Sequence, residues 1–147
     1  MRKRKPKAAG TITLSSTGEI RKVCDALLGT LWDLKYDEQD QFAIHLAVDE
    51  ALSNAIVHGN KEDPKKSVRV DYEVFKDRVN ITVTDEGRGF DHKHIASCTD
   101  PLHLMENHGR GVCLMQRFMD ELSFGEKGNS VRMTRFSGSK KGRKESK

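Results

Sequence analysis

QFAIHLAVDEALSNAIVHGN, residues 41–60, is a helix-like stretch whose apolar side chains recur on almost every side. A helix of that composition belongs in a hydrophobic core. Within it Glu50, Asn54 and His58 recur every four residues, and because an α-helix turns about 100° per residue they are expected to form one polar stripe. A buried carboxylate or carboxamide without a partner costs about 1–3 kcal/mol. The stripe therefore predicts polar partners elsewhere in the chain, or a ligand.

Two glycine-rich segments lie downstream of this helix. DEGRGF, residues 85–90, follows a strand-like run, and HGRG, residues 108–111, opens the helix-like run GVCLMQRFMDEL. Gly87 and Gly89 permit positive φ and a close approach of backbone to a ligand. Gly109 and Gly111 are predicted to precede a helix, whose free N–H groups and dipole favour phosphate. Each segment alone is also typical of an ordinary turn, but three motifs in this order form a specific pattern.

In order and content the three motifs resemble the ATP-binding domain of the histidine-kinase-like ATPases, also called the GHKL or Bergerat fold. Within that group the chain is similar to the anti-sigma factor serine/threonine kinases of bacterial partner switching, from about Thr11 to Phe136. The resemblance implies an ATP-dependent kinase that phosphorylates an anti-sigma factor antagonist and also binds a sigma factor, as a homodimer. The alternative function is a nucleotide-gated protein-binding regulator without phosphotransfer.

The same resemblance implies roles for individual residues. Asn54 matches a magnesium ligand, which suits the preference of Mg²⁺ for oxygen donors. Glu50 matches the general base, with Asp49 as a rival, and Asp85 matches the acceptor for the exocyclic amine of adenine. The remaining residues expected to bind nucleotide are Gly87, Gly89, Gly109, Arg110 and Gly111.

Some site residues keep a second interpretation. Arg110 is interpreted either as a phosphate contact or as a solvated side chain. His58 is interpreted as a packing or capping residue of the helix. The chain has Asn107-His108 where the best-known members of the family have Arg-Ser before Gly-x-Gly. This departure bears on phosphotransfer and on the contact with a sigma factor, and not on nucleotide binding.

The charge of the chain is unevenly distributed. Of the net +4, residues 1–7 carry +5 and residues 138–147 carry +4, so the body is acidic at −5. We therefore expect flexible basic tails at 1–10 and 138–147 around one ATPase domain at 11–137, and interpret nucleic-acid binding as the less favoured function. There is neither an 18-residue apolar run nor a secretory signal, which predicts a cytoplasmic protein without a membrane span.

The cysteines and histidines suggest neither a disulfide framework nor a metal site. Three cysteines without Cys-x-x-Cys spacing predict free thiols. A zinc site is not predicted, because the spacing of the candidate ligands matches no standard pattern. Those candidates are His92, His94, Cys98, His103 and His108.

Hydrophobic periodicity predicts the secondary structure. Alternation predicts strands at 11–16, 67–76, 79–84, 121–125 and 130–136, and helical spacing predicts helices at 19–35, 42–60 and 111–119. Ser or Thr at 15–17 is expected to cap the first helix, and Asp37 the second. Residues 91–107 are predicted to form a mobile segment over the ligand. Together the elements predict an α/β two-layer sandwich with a mixed, mostly antiparallel sheet covered by helices on one face.

Overall fold

The computed structural model describes residues 4–88 and 107–142, with the backbone alone for residues 107–111. The predicted segment at 91–107 falls outside this description except for its last residue. The described strands are β1 (Ala8–Leu14), β2 (Val68–Val74), β3 (Arg78–Thr84), β4 (Glu121–Phe124) and β5 (Ser130–Phe136). The described α-helices are α1 (Ile20–Asp33), α2 (Glu38–Asn54) and α3 (Asn107–Phe118).

The five strands form one sheet in the order β1-β2-β3-β5-β4. All four pairings are antiparallel, so within the described residues the sheet is antiparallel throughout rather than mixed as predicted. Apolar residues alternate along the strands and face the helices; Val68, Val70, Val79, Ile81 and Met133 are at most 1% exposed. The predicted two-layer sandwich is confirmed.

The central helix α2 packs between α1 and α3. It begins after Asp37, whose carboxylate accepts a hydrogen bond from the Asp40 N–H at 2.7 Å, so the predicted cap is confirmed. The expectation that α2 is buried all round is wrong, because its outer face is open to solvent and Phe42 is 58% exposed. The helix ends at Asn54 and continues as one π-helical turn, Ala55–Gly59.

The π-helical turn breaks the predicted polar stripe. A π-helix closes its hydrogen bonds over five residues rather than four, and the Asn60 N–H accordingly bonds to the Ala55 carbonyl at 2.8 Å. The angle per residue therefore falls below the 100° on which the stripe was based. Glu50 and Asn54 stay half-buried, whereas His58 is exposed.

Several boundaries differ from prediction. β1 begins at Ala8, so it includes residues 8–10 of the predicted tail. No serine or threonine hydroxyl caps the first helix; instead the Ser16 hydroxyl donates to the Glu19 carboxylate at 3.2 Å. Cys24 is a buried free thiol, as predicted. The prediction is wrong for Cys113, which is disulfide-bonded to a partner outside the described residues.

A buried ion pair joins β5 to α2. Arg135, on the helix-facing side of β5, donates from Nε to the Asp40 carboxylate at 2.8 Å, and both side chains are at most 1% exposed. The same guanidinium donates to the carbonyl of Phe118, at the end of α3, at 2.6 Å. The C-terminal segment joins this cluster through the Gly138 N–H, which donates to Asp40 at 2.8 Å.

Candidate functional site

Asp85 stands directly after β3, and its carboxylate lies against the backbone at the end of the π-helical turn. A Cβ atom at Gly59 would overlap that carboxylate, and a Cβ atom at Gly87 would overlap the Gly59 carbonyl oxygen. Only glycine at both positions allows this approach. The turn after β3 and the segment after Asn54 therefore meet at one place, although the sequence separates them by about 26 residues.

The Asp85 carboxylate is partly committed to its own turn. Its Oδ1 accepts a hydrogen bond from the Gly87 N–H at 2.7 Å, as in an Asx turn. Burial raises the pKa of the Asp85 carboxyl, against the opposing effects of the Gly87 hydrogen bond and of the Lys66 charge. Burial without a cationic partner in contact disfavours the ionised form. A ligand donor that reached Oδ2 would relieve that cost.

Neighbouring amides fix the turn that carries Asp85. The Asp85 N–H donates to the Asn129 carbonyl at 2.9 Å, and the Asn129 side-chain amide donates back to the Asp85 carbonyl at 3.0 Å. The Asn60 side chain accepts from the Glu86 N–H at 2.7 Å. The sequence placed Gly59 and Asn60 only at the end of the predicted helix 42–60, and Asn129 only in the turn between the last two strands. Their glycine and asparagine identities were the available signal, but their partners are too distant in sequence to be inferred.

Glu50 and Asn54 lie one turn apart on α2, both half-buried, with Asn54 immediately before the π-helical turn. Asp49, the rival to Glu50, is exposed and lies about 100° around the helix from Glu50. Burial, and after it the charge of Asp49, raises the pKa of the Cys24 thiol on α1. The geometry separates the two carboxylates and leaves Glu50 on the side of the helix that carries Asn54.

The glycines of the third motif do not precede α3 as predicted. The helix begins at Asn107, so Gly109 and Gly111 lie in its first two turns. Glycine costs only about 1 kcal/mol in a helix, and the buried Val112, Met115 and Met119 offset that cost. Since the N–H groups from the N-cap to the third helical residue have no partner within the helix, the N–H group of Gly109 is available to an anion, whereas those of Arg110 and Gly111 lie one full turn into the helix.

Other predicted site residues fall outside the description. Gly89 and the side chain of Arg110 are among them, as are the side chains of all the histidines and the cysteine weighed for zinc. Among the residues described, no group of three or more His, Cys, Asp or Glu side chains is placed to hold a metal. Within the same residues, none of the helices has the length and hydropathy needed to cross a bilayer.

Comparison with known proteins gives consistent results. The family model described as the histidine kinase-like ATPase domain matches residues 11–135. An anti-sigma F factor of Oceanobacillus iheyensis is 32% identical over 130 residues, which are 84% of this chain and 86% of that protein. The serine-protein kinase RsbW of Bacillus subtilis is 34% identical over 108 residues, which are 69% of this chain and 66% of that protein.

A solved structure has the same fold. The RsbU and RsbW domains of a Mycobacterium tuberculosis protein match with a TM-score of 0.58 at 20% identity, covering 90% of this chain and 34% of that one. At this identity the likeness concerns the fold alone. The match thus covers about two thirds of the B. subtilis kinase.

Proposed function

Because the chain belongs to the histidine kinase-like ATPase domain family, we propose that it is an ATP-dependent protein serine/threonine kinase of the anti-sigma type. The observation that carries the proposal is the close contact of the Asp85 carboxylate with Gly59, at the end of the segment that follows Asn54. A half-buried carboxylate with one oxygen held by its own turn suits recognition of an adenine amine.

Asp85 is proposed to select adenine. With Oδ1 occupied by the Gly87 N–H at 2.7 Å, Oδ2 would be the acceptor for the ligand. An acceptor at that place favours the amine of adenine and opposes the carbonyl of guanine. The overlap that a side chain at Gly59 or Gly87 would create supports the same role, because both glycines leave room for the turn to stand close to a flat ring.

Asn54 and the start of α3 are proposed to hold the polyphosphate. The carboxamide oxygen of Asn54 would be a suitable ligand for Mg²⁺, and the ion would supply positive charge that neutralises the phosphates. The N–H group of Gly109 and the helix dipole favour the same negative charge. The described residues thus fit magnesium ATP with oxygen donors on one side and N–H donors on the other.

Glu50 is proposed to act as the general base. A serine or threonine hydroxyl of the partner attacks the γ-phosphorus, the bond to the bridging oxygen breaks, and ADP leaves. Glu50 receives the hydroxyl proton, as a carboxylate does when it lies within hydrogen-bond reach of a nucleophile. Its position one turn before Asn54 supports this assignment, and the exposure of Asp49, about 100° around the helix, argues against the rival.

The partners of the proposed kinase are an anti-sigma factor antagonist, which is phosphorylated, and a sigma factor, which is held or released. The relatives named anti-sigma F factor and serine-protein kinase RsbW support these partner classes. We propose that the chain acts as a homodimer in the cytoplasm. The competing function is a nucleotide-gated regulator that binds its partner without phosphotransfer, favoured only by Asn107-His108 at the start of α3.

The test is transfer of labelled γ-phosphate from ATP to an anti-sigma-antagonist protein. The intact chain is expected to transfer phosphate, and Glu50→Ala to lose transfer by about 100-fold or more while it keeps ATP binding. Asp49→Ala is the matched control and should retain activity. ATP binding without transfer to any antagonist would favour the nucleotide-gated regulator, and failure of adenine nucleotides to bind at millimolar concentration would refute both functions.

A further inference from the structure

Asn60 is a buried polar residue that the proposed chemistry does not use. It is 2% exposed and follows the π-helical turn directly. Its side-chain amide donates from Nδ2 to the Ser67 carbonyl at 3.0 Å and accepts on Oδ1 from the Glu86 N–H at 2.7 Å. Since buried amides without partners are costly, these bonds hold together the end of the π-helical turn, the residue before β2 and the turn after β3.

A second pair of hydrogen bonds joins the turn after β3 to the residue before β2. The Glu86 carboxylate accepts from the backbone N–H of Ser67 at 2.5 Å and from the Ser67 hydroxyl at 3.3 Å. Glu86 thus bonds through its backbone to Asn60 and through its side chain to Ser67. The turn that holds Asp85 and Gly87 is therefore fixed on the side that faces the start of β2.

The contacts of Asn60 lie next to the atoms that would meet adenine. Glu86 is the residue after Asp85, and Gly59, the residue before Asn60, is the one whose backbone the Asp85 carboxylate touches. A shift of the Asn60 side chain would move both the turn and the surface against which the carboxylate rests. Asn129 holds the opposite side of the same turn through two backbone contacts of Asp85 at 2.9 and 3.0 Å.

We propose that Asn60 is a positioning residue that fixes the Asp85 carboxylate for the exocyclic amine of the bound purine and so sets selectivity for adenine. The inference rests on the proposed function. Asn60 touches no ligand itself; it acts through Glu86 and Gly59. If the role of Asn60 is purely structural, its loss weakens the binding of all nucleotides equally. If Asn60 positions Asp85, its loss weakens the binding of nucleotides that carry the amine more than the binding of those that lack it.

The experiment compares the affinity of the full chain for ATP with its affinity for purine riboside triphosphate, which lacks the amine. The ratio of the two affinities measures the amine contact alone. In Asn60→Ala the ratio is expected to fall by about fivefold to tenfold, less than the complete loss of a hydrogen bond to a charged group would cause, because the amine contact is displaced and not removed. Thermal unfolding without nucleotide reports any change in stability separately.

Asn80→Ala is the matched control. Asn80 lies within β3 and accepts a hydrogen bond from the Thr134 hydroxyl at 2.8 Å, but on the face of the sheet opposite the helices. Its removal should leave the ratio unchanged. If Asn60→Ala does not fold, Asn60→Asp replaces it: the carboxylate still accepts from the Glu86 N–H but cannot donate to Ser67, and the ratio should fall by about threefold.

The outcomes separate this inference from the function on which it rests. A wild-type chain that prefers ATP over the analogue, together with an unchanged ratio in the Asn60 variants, overturns the positioning role and leaves the proposed function intact. A wild-type chain that binds ATP without preference refutes the amine contact of Asp85 and the role of Asn60 with it. A wild-type chain that binds no adenine nucleotide overturns both proposals.

Discussion

Asp85 is held in place by the Gly87 N–H of its own turn and by the side-chain amide of Asn129, which donates to its carbonyl. An aspartate after a strand and before Gly-x-Gly was predicted from the sequence to bind adenine, and the structure places it half-buried with a raised pKa caused by burial. The sequence could not indicate the contact with Gly59, because that contact joins backbone and side chain from distant segments. Asn60 and Asn129 escaped prediction for the same reason, since asparagine in a turn has an ordinary local explanation.

The raised pKa of Asp85 predicts how ATP binding depends on pH. The ionised carboxylate is the acceptor for the amine, so affinity should be constant above the raised pKa and weaken as pH falls through it. The loss should therefore begin above about pH 4, the value expected for an ordinary aspartate. Calorimetric titration with ATP between about pH 4.5 and 8 measures the profile. Asp85→Asn should bind more weakly and lack this titration; an unaltered profile in that variant would assign the pH dependence to another group.

Gly87 predicts a second effect at the residue scale. In Gly87→Ala the new Cβ would overlap the Gly59 carbonyl, so the turn must move. We expect a loss of about 1–3 kcal/mol in the free energy of unfolding, together with weaker ATP binding. Gly29→Ala is the matched control, because nothing lies within 4 Å of its Cβ position in α1. That change should stabilise the protein by about 0.5–1 kcal/mol. Urea denaturation compares the two, and equal stability would contradict the overlap.

Among the elements, the hairpin of β2 and β3 was predicted within two residues because its alternation is local. The π-helical turn after α2 was not predicted, since a π-helical turn has no periodic signature in sequence and depends on the contacts of Gly59 and Asn60. The start of α3 was placed too late because its glycines were interpreted as a break. In each case the pattern identified the element, and tertiary contacts determined where it begins and ends.

The ion pair of Arg135 and Asp40 is the element-scale feature that the sequence concealed. An arginine near a strand end usually lies on the surface, but here it is 0% exposed and its partner is 95 positions away. It joins the first turn of α2 to the last carbonyl of α3. Arg135→Met should lower the free energy of unfolding by about 3–5 kcal/mol, because it removes the guanidinium that the buried Asp40 carboxylate accepts from at 2.8 Å.

Two further variants test that prediction. Adding Asp40→Leu to Arg135→Met removes the buried carboxylate and should restore part of the loss. Arg21→Ala breaks an ion pair of 3.9 Å whose side chains are 91% and 69% exposed, and should change the free energy of unfolding by less than about 1 kcal/mol. Chemical denaturation of the three variants provides the comparison. A loss in Arg135→Met no larger than that in Arg21→Ala would show that the buried pair contributes little.

At the scale of the whole molecule, the two edges of the sheet differ. β4 has four residues and begins with exposed Glu121, whereas β1 has seven residues, AAGTITL, without a charge or a proline. Edge strands normally carry charges, proline or bulges that prevent pairing. β1 pairs with β2 without a break in register, so no bulge protects it. This edge is the surface that the proposed homodimer would use.

Antiparallel pairing of two β1 strands about Thr11 would be symmetric and would place Ala8 and Gly10 of one copy opposite Leu14 and Ile12 of the other. Small side chains would thus face large ones on the core side, and exposed Ala9 would face exposed Thr13. Cross-strand pairs contribute about 0.2–1 kcal/mol each, and the two-fold symmetry repeats each of these pairs on the other side of Thr11. A single pair of substitutions can therefore test both the dimer and its register.

Two variants that share Ala9→Lys differ only in the sign of the charge at position 13. Ala9→Lys with Thr13→Lys opposes like charges across the edge and should raise the dimer dissociation constant by about tenfold. Ala9→Lys with Thr13→Glu opposes unlike charges and should lower it. Within one copy the second variant also suits its neighbours, because Ala9 pairs with Glu73 and Thr13 with Arg69. Sedimentation equilibrium measures both constants at low salt. If the two variants dissociate equally, β1 is not the interface, and a chain that is monomeric throughout would remove the homodimer from the proposed function while leaving the nucleotide site untouched.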